Sequence, residues 1–229
     1  MVTSIPENSR QFPRNEKIVL NKQFLDKLYG YLQVISYRDE NTDARRYLTK
    51  KQINYSALAR ETKISRPSIK KYIDYMLDHE KGLGIMTYDE TKEIYYLEIF
   101  PSAEAILIEK DLLSYLSLVF SKHTITIYSY LFMRWYAVIK NGGSSFEFML
   151  DRLKDISGYS INSNSNDEPL KMILATMKAV GLINYTVRKE KIGNMEKHYY
   201  TILNVANKLS EIECLNEDAL KEKVRAMAS

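Results

Sequence analysis

Apolar and polar positions along the chain switch between a helical period and a period of two, and the switching recurs. From Asn21, "NKQFLDKLYGYLQVIS" sets Phe24, Leu25, Leu28, Leu32 and Ile35 on one helical face, with Asn21 as its N-cap. The polar run "YRDENTDARRYLTKKQ" predicts a loop with a short helical turn, and "INY" a brief strand. Ser56 is placed to cap a short helix reaching Thr62. Ser65 is placed to cap a second from Arg66 to about His79, with Pro67 tolerated in its first turn. "GIMTYDETKEIYYLEI" alternates on either side of "DETK", which predicts a hairpin ended by Pro101. Before all of this, residues 1–16 carry Pro6 and Pro13 among polar residues without periodicity, and predict a loose tail.

The same order returns further along. "IEKDLLSYLSLVFS" (108–121) echoes the first apolar stripe, and "HTITIYSYLFMRWYAVIKNGG" adds a long apolar helix closed by Asn141-Gly142-Gly143. "SFEF" corresponds to "INY", "MLDRLKDIS" to "SALARETK", and "NDEPLKMILATMKAVG" to the second helix. "LINYTVRKEKIGNMEKHYYTIL" corresponds to the hairpin, with Gly193-Asn194 as its turn. A repeat of this kind fixes the organisation before any fold is chosen. The predicted fold class is α+β, mainly α with small β-hairpins, in two tandem domains. These are residues 17–101 and 102–205, after the tail 1–16 and before a C-terminal helix and tail, 206–229.

Composition narrows the classes. Of the 229 residues 45% are apolar and 27% charged, an ordinary globular balance, and the formal charge of +4 is a mild basic bias. No run of about 18 apolar residues could span a bilayer, and Arg134 interrupts the most apolar stretch. The opening residues lack a signal-peptide core, and the single cysteine, Cys214, suits a reducing compartment. A cytoplasmic protein with no membrane partner is expected. Enzymatic chemistry finds no support: "KIGNMEK" has the wrong spacing for a phosphate loop, and Cys214 has no histidine near it in sequence. His79, His123 and His198 stand apart without metal-ligand spacing. No cofactor and no metal are expected. The tyrosines and phenylalanines fall mostly at helical or strand spacing, as core residues do.

The order helix, strand, helix, helix, hairpin resembles the winged-helix variant of the helix-turn-helix. Ala59, Ile64 and Ile69 fall where such motifs place a small residue, a turn hydrophobe and a core residue of the second helix. Lys63 stands where the family often has Gly, and in the second copy "GYSINSNSND" lengthens the turn and Leu153 replaces the small residue. The tandem arrangement, with a "SYLFMRW" helix of the kind that often begins such winged helices and "GLI" as the strand they run into, resembles plasmid and phage replication initiators and replisome organisers. The resemblance implies binding of double-stranded DNA, with replication proteins as further partners. A transcriptional regulator would use the same contacts. A winged helix that docks proteins without binding DNA is the alternative of a different class.

Within that frame the residues divide. In "RPSIKKYIDYM", Ile69, Ile73 and Met76 share one side, while Arg66, Ser68, Lys70 and Lys71, preceded by Lys63 and Ser65, hold the other side and its flanks. A major-groove helix wants this layout: an apolar inner face, cations for phosphates and guanine edges, small polar groups for base edges. An ordinary solvated face has the same composition; the flanking helix-turn and hairpin favour DNA. The second copy opens on Asp167 and Glu168, which suit the helix dipole but repel phosphate. Its long turn offers Ser160, Asn162, Ser163 and Asn164 as neutral donors, and its hairpin carries Arg188, Lys189, Lys191 and Lys197. That hairpin is either a phosphate-tracking wing or a solvated edge protected by lysines. The first hairpin is acidic. The long apolar helix and a tail stripe of Leu209, Ile212, Leu220, Val224 and Met227 exceed what one small domain covers, which predicts a two-fold homodimer.

Overall fold

A computed structural model of the chain describes residues 6–13, 26–39, 45–100, 105–157, 167–192 and 195–228. It is a mixed α/β structure that divides into two compact units, Met1–Lys122 and His123–Ser229. No helix among the described residues is long and apolar enough to cross a membrane. The expected cap at Asn21, the turn 158–166 with Ser160, Asn162, Ser163 and Asn164, and the Gly193-Asn194 turn lie outside the described residues.

In the first unit, helix α1 (Asp26–Ile35) is followed by strands β2 (Tyr37–Arg38) and β3 (Arg46–Thr49), helices α2 (Tyr55–Thr62) and α3 (Arg66–Leu77), and the hairpin β4 (Met86–Asp89) and β5 (Ile94–Leu97). The sheet runs β2-β3-β5-β4, so the strand before the two helices pairs with the second arm of the hairpin. The strand expected at "INY" lies earlier, at "RYLT". Leu48 is its one fully buried side chain, and three of its four residues are partly exposed, so its apolar signal is weak. Ile53 is buried, Asn54 caps α2, and Tyr55 is already helical. The Asn54 carboxamide oxygen accepts from the Ser56 and Ala57 amides at 3.0 Å each, so the cap is Asn54, not Ser56.

A second sheet of this unit has no counterpart in the sequence reading. Residues Ser9–Pro13 form β1, antiparallel to β6 (Ala105–Glu109), with Ser9 opposite Glu109 and Pro13 opposite Ala105. The segment 1–16 is therefore not a featureless tail. Helix α4 (Lys110–Val119) begins two residues later than "IEKDLL" suggested, because Ile108 and Glu109 belong to the strand. In β6 Ile106 and Ile108 are buried and Leu107 is exposed, the alternation of a half-covered strand. Helix α4, whose apolar spacing echoes that of α1, packs against α1 within this unit.

The second unit repeats the core order. Helix α5 (Lys122–Lys140), strand β7 (Phe146–Met149), helices α6 (Leu150–Ser157) and α7 (Asp167–Ala179), and strands β8 (Ile183–Ile192) and β9 (Met195–Val205) follow in turn. Its sheet runs β7-β9-β8, the same strand order relative to the helices as β3-β5-β4. Gly142, at φ +78°, closes α5 by donating to the Ile139 carbonyl at 3.0 Å, and Gly143 donates to Val138 at 2.9 Å. A 3₁₀ turn (Leu209–Glu211) and helix α8 (Glu217–Ala228) end the chain, and α8 packs on α7. Most of the apolar surface behind the expected homodimer is covered inside one chain: Ile125, Tyr128, Leu131 and Phe132 of α5 and Leu220 and Val224 of α8 are buried. Tyr128 and Phe132 stack at 5.8 Å between ring centroids, and the Tyr128 hydroxyl donates to the Ala206 carbonyl at 2.9 Å.

Candidate nucleic-acid interface

Helix α3 is fixed from its start. Ser65 is the N-cap: its hydroxyl oxygen accepts from the Ser68 amide at 3.4 Å and lies 2.8 Å from the Ser68 hydroxyl. Pro67 sits in the first turn, where no intrahelical donor is lost. Ile69, Ile73 and Met76 are buried and anchor the helix, each worth about 1.5–3 kcal/mol of apolar burial. At its far end Asp78 stops the helix, and its carboxylate accepts from the Glu80 and Lys81 amides at 2.9 Å each, which holds its pKa below the usual aspartate value.

This anchoring leaves one side to water. Lys63, Ser65, Arg66, Lys70 and Lys71 are exposed and Ser68 is half-buried. Among the described residues none of Lys63, Arg66, Lys70 and Lys71 has a carboxylate within ion-pair distance, although eleven such pairs occur elsewhere. Lys63 takes the left-handed conformation, φ 60° and ψ 25°, and its amide donates to the Ala59 carbonyl at 3.0 Å. The turn between α2 and α3 thus has the backbone a glycine would take, adopted by a lysine at a cost of roughly 1 kcal/mol.

The neighbouring hairpin β4–β5 offers no cationic surface. Asp89 accepts from the Thr91 and Lys92 amides at 3.0 and 3.2 Å, Lys92 turns back towards Asp89, and Glu93 holds Lys50 at 2.6 Å.

In the second unit the corresponding helix is different in kind. Asp167 is drawn inward: its Oδ1 lies 2.6 Å from the Nζ of Lys154, whose side chain is 2% exposed, and Asp151 lies 3.0 Å from the same nitrogen. Asp167, and then Asp151, hold the ammonium above the ordinary lysine pKa against the opposing effect of burial. In the sequence Asp167 reads as a charge that suits the helix dipole and repels phosphate; the structure adds an ion pair with the buried Lys154. Lys171 is tied to Glu168 at 2.7 Å, and Lys178 donates to the Tyr185 carbonyl at 2.9 Å. The surface left on α7 includes Met172, 52% exposed.

The second hairpin separates its cations by face. Arg188 pairs with Glu190 at 2.8 Å and Glu147 at 3.5 Å, and its guanidinium lies over the Tyr199 ring, 4.4 Å from the centroid. Arg188 is thereby occupied. Lys189 and Lys191 are exposed on the opposite face, with His198 across from Lys189; Lys197, across from Glu190, is half-buried on the Arg188 face. The Lys189 face continues the one on which Tyr200 and Ile202 are buried. The described site residues therefore fall into a set around α3 and a set on the second hairpin, with Arg188 and Lys197 on one face and Lys189 and Lys191 on the other.

No protein-family profile matches the chain, and no curated protein is similar to it in sequence. The functional reading rests on the chain's own geometry.

Proposed function

We propose that both units are winged helices and that the protein binds double-stranded DNA, with α3 in the major groove. The carrying observation is the outward side of α3, where Arg66, Lys70 and Lys71, with Lys63 before them, stand exposed and without ion pairs on a capped, core-anchored helix. Four unpaired cations on so small a surface cost stability through mutual repulsion, and phosphates would relieve it. Arg66 at the helix start is suited to base edges, and Lys70 and Lys71 to the backbone. The shared strand order, with the strand before the helix pair joined to the second arm of the hairpin, supports the winged-helix reading of each unit. Lys189 and Lys191 act as a phosphate-tracking wing. The role is replication initiation or organisation on a plasmid or phage, or transcriptional control through the same contacts.

The test is a set of binding titrations with duplexes of different sequence across salt concentrations. The proposal expects affinity that falls linearly in log–log form, with a slope set by the phosphates contacted. Failure to bind any duplex at low salt would discard it. The alternative, a module that docks proteins, is favoured by one observation: α7 shows water the apolar Met172 rather than free cations.

A further inference from the structure

A cavity of about 510 Å³ in the first unit is lined by Glu7, Asn8, Arg10, Ser36, Tyr37, Arg38, Arg46 and Lys110. Its described lining holds four cations and one carboxylate, brought together from β1, the end of α1, β2, β3 and the start of α4.

Arg10 is 3% exposed and is held rigidly: it donates to the backbone carbonyls of Gln33 at 3.0 Å, Glu7 at 2.8 Å and Ser9 at 2.9 Å. These bonds use Nε and Nη1 and leave Nη2. Arg46 donates from Nε to the Ser36 hydroxyl at 2.7 Å and from Nη2 to the Ser36 carbonyl at 2.6 Å, which leaves Nη1. Among the described residues neither guanidinium has a carboxylate within ion-pair distance. Neutral backbone carbonyls and the Ser36 hydroxyl fix the direction of both side chains, while Asp111 and Glu7, beyond ion-pair distance, offset part of the Arg10 charge. Burial, and then Arg10 and Arg38, lower the proton affinity of Arg46, as expected where like charges meet in a recess.

We propose that this cavity binds a small phosphorylated ligand of the nucleoside polyphosphate class, with its phosphates on Arg10, Arg46 and Lys110 and its base on Tyr37. Guanidinium groups with preset orientation and a spare Nη donor are suited to charge-assisted hydrogen bonds with phosphate oxygens. The volume lies in the range of small-molecule sites. A duplex backbone meets convex, exposed cations, such as those of α3, whereas Arg10 is reached only through the cavity. Tyr37 stands at the cavity with 53% of its surface exposed and its ring 5.6 Å from that of Tyr47, which leaves an aromatic face for a base. This proposal is independent of the DNA reading, since no α3 residue lines the cavity.

The test is calorimetric titration of the full chain with ATP and, separately, with inorganic pyrophosphate. Wild type is compared with Lys110→Glu and Tyr37→Ala, two changes that leave the anchoring bonds of Arg10 and Arg46 in place, and circular dichroism melts verify folding. ATP is expected to bind at a single site. Lys110→Glu should weaken both ligands by about tenfold or more, through loss of one charge-assisted contact and gain of a repulsive one. Tyr37→Ala should weaken ATP about five- to tenfold and leave pyrophosphate unchanged, the signature of a stacked base. Absence of ATP binding to folded wild type, or full affinity in folded Lys110→Glu, overturns the proposal. Pyrophosphate that binds as tightly as ATP with no effect of Tyr37→Ala overturns the nucleotide assignment in favour of a bare phosphate. Displacement of ATP by a short duplex in proportion to duplex occupancy overturns it in favour of a backbone phosphate.

Discussion

Helix α3 leaves its outward side to Arg66, Lys70 and Lys71. Helix α7, at the same place in the second repeat, opens on Asp167 and Glu168, exposes Met172 and carries α8. The hairpins invert this. The short one after α3 ties its lysine to carboxylates, whereas the long one after α7 exposes Lys189 and Lys191. One topology, used twice, has placed exposed cations on the helix in one copy and on the hairpin in the other. The helix pair and hairpin set the topology; the surface residues decide what each copy can meet.

The largest expected effect tests whether Asp167 is structural. Asp167→Ala removes the nearer partner of a nearly inaccessible ammonium and leaves only Asp151, so urea unfolding of the second unit should show a loss of about 3 kcal/mol. Lys154→Met removes the charge with its need for partners and should be far milder, near neutral. Equal losses in the two variants would show that packing, not charge, holds α7 to α6. The pair also gives a pH signature. Because the folded state raises the pKa of Lys154 above 10.5, its contribution is complete below that value and is lost as pH rises past it. Alkaline titration should therefore destabilise wild type more than Lys154→Met.

Next in size is Arg66→Ala, which should cost about 1–3 kcal/mol on a preferred duplex and reduce discrimination between duplexes. Lys70→Ala should weaken all duplexes alike and lower the salt slope by about one unit, and Lys189→Ala with Lys191→Ala should act in the same way if the second hairpin tracks phosphate. If Arg66→Ala binds as wild type does and the hairpin variant fails, the second repeat is the DNA-binding one and the comparison between α3 and α7 reverses.

The smallest effect is Lys63→Gly. Relief of the left-handed conformation should stabilise the first unit by about 0.5–1 kcal/mol, read from a denaturation midpoint, while the lost cation slightly weakens DNA binding. A destabilised Lys63→Gly would mean that the side chain packs in a way its backbone angles do not reveal.

Much of this was legible in the chain where the signal is local. Ser65, Pro67 and the spacing of Ile69, Ile73 and Met76 define α3 by themselves, and the long hairpin follows from two alternating runs. The cap of α2 is ambiguous in the sequence because Asn54 and Ser56 are both good caps two residues apart; in the folded chain Asn54 accepts from the Ser56 and Ala57 amides. Strand β3 has one fully buried residue and depends on β5, some fifty positions away, for its identity. Lys154 lies one helical turn beyond Leu150, on the buried side of α6, and the second carboxylate that accommodates it comes from another helix. The cluster of Arg10, Arg38, Arg46 and Lys110 has no local signature at all, being assembled from four separate stretches of chain.

The pairing of β1 with β6 also governs when the first unit can finish folding. Ser9 meets Glu109 across a span of roughly a hundred residues, so this sheet closes a long loop, whose entropy must be lost before the contact repays it. During synthesis the helix pair α2–α3 and its hairpin emerge before β6 and can form from nearby contacts, while β1 waits with an open edge until residue 109 has left the ribosome. The exposed side of α3 can thus form before the Arg10 cavity is complete. A shortened chain beginning after Pro13 would retain the first and lose the second.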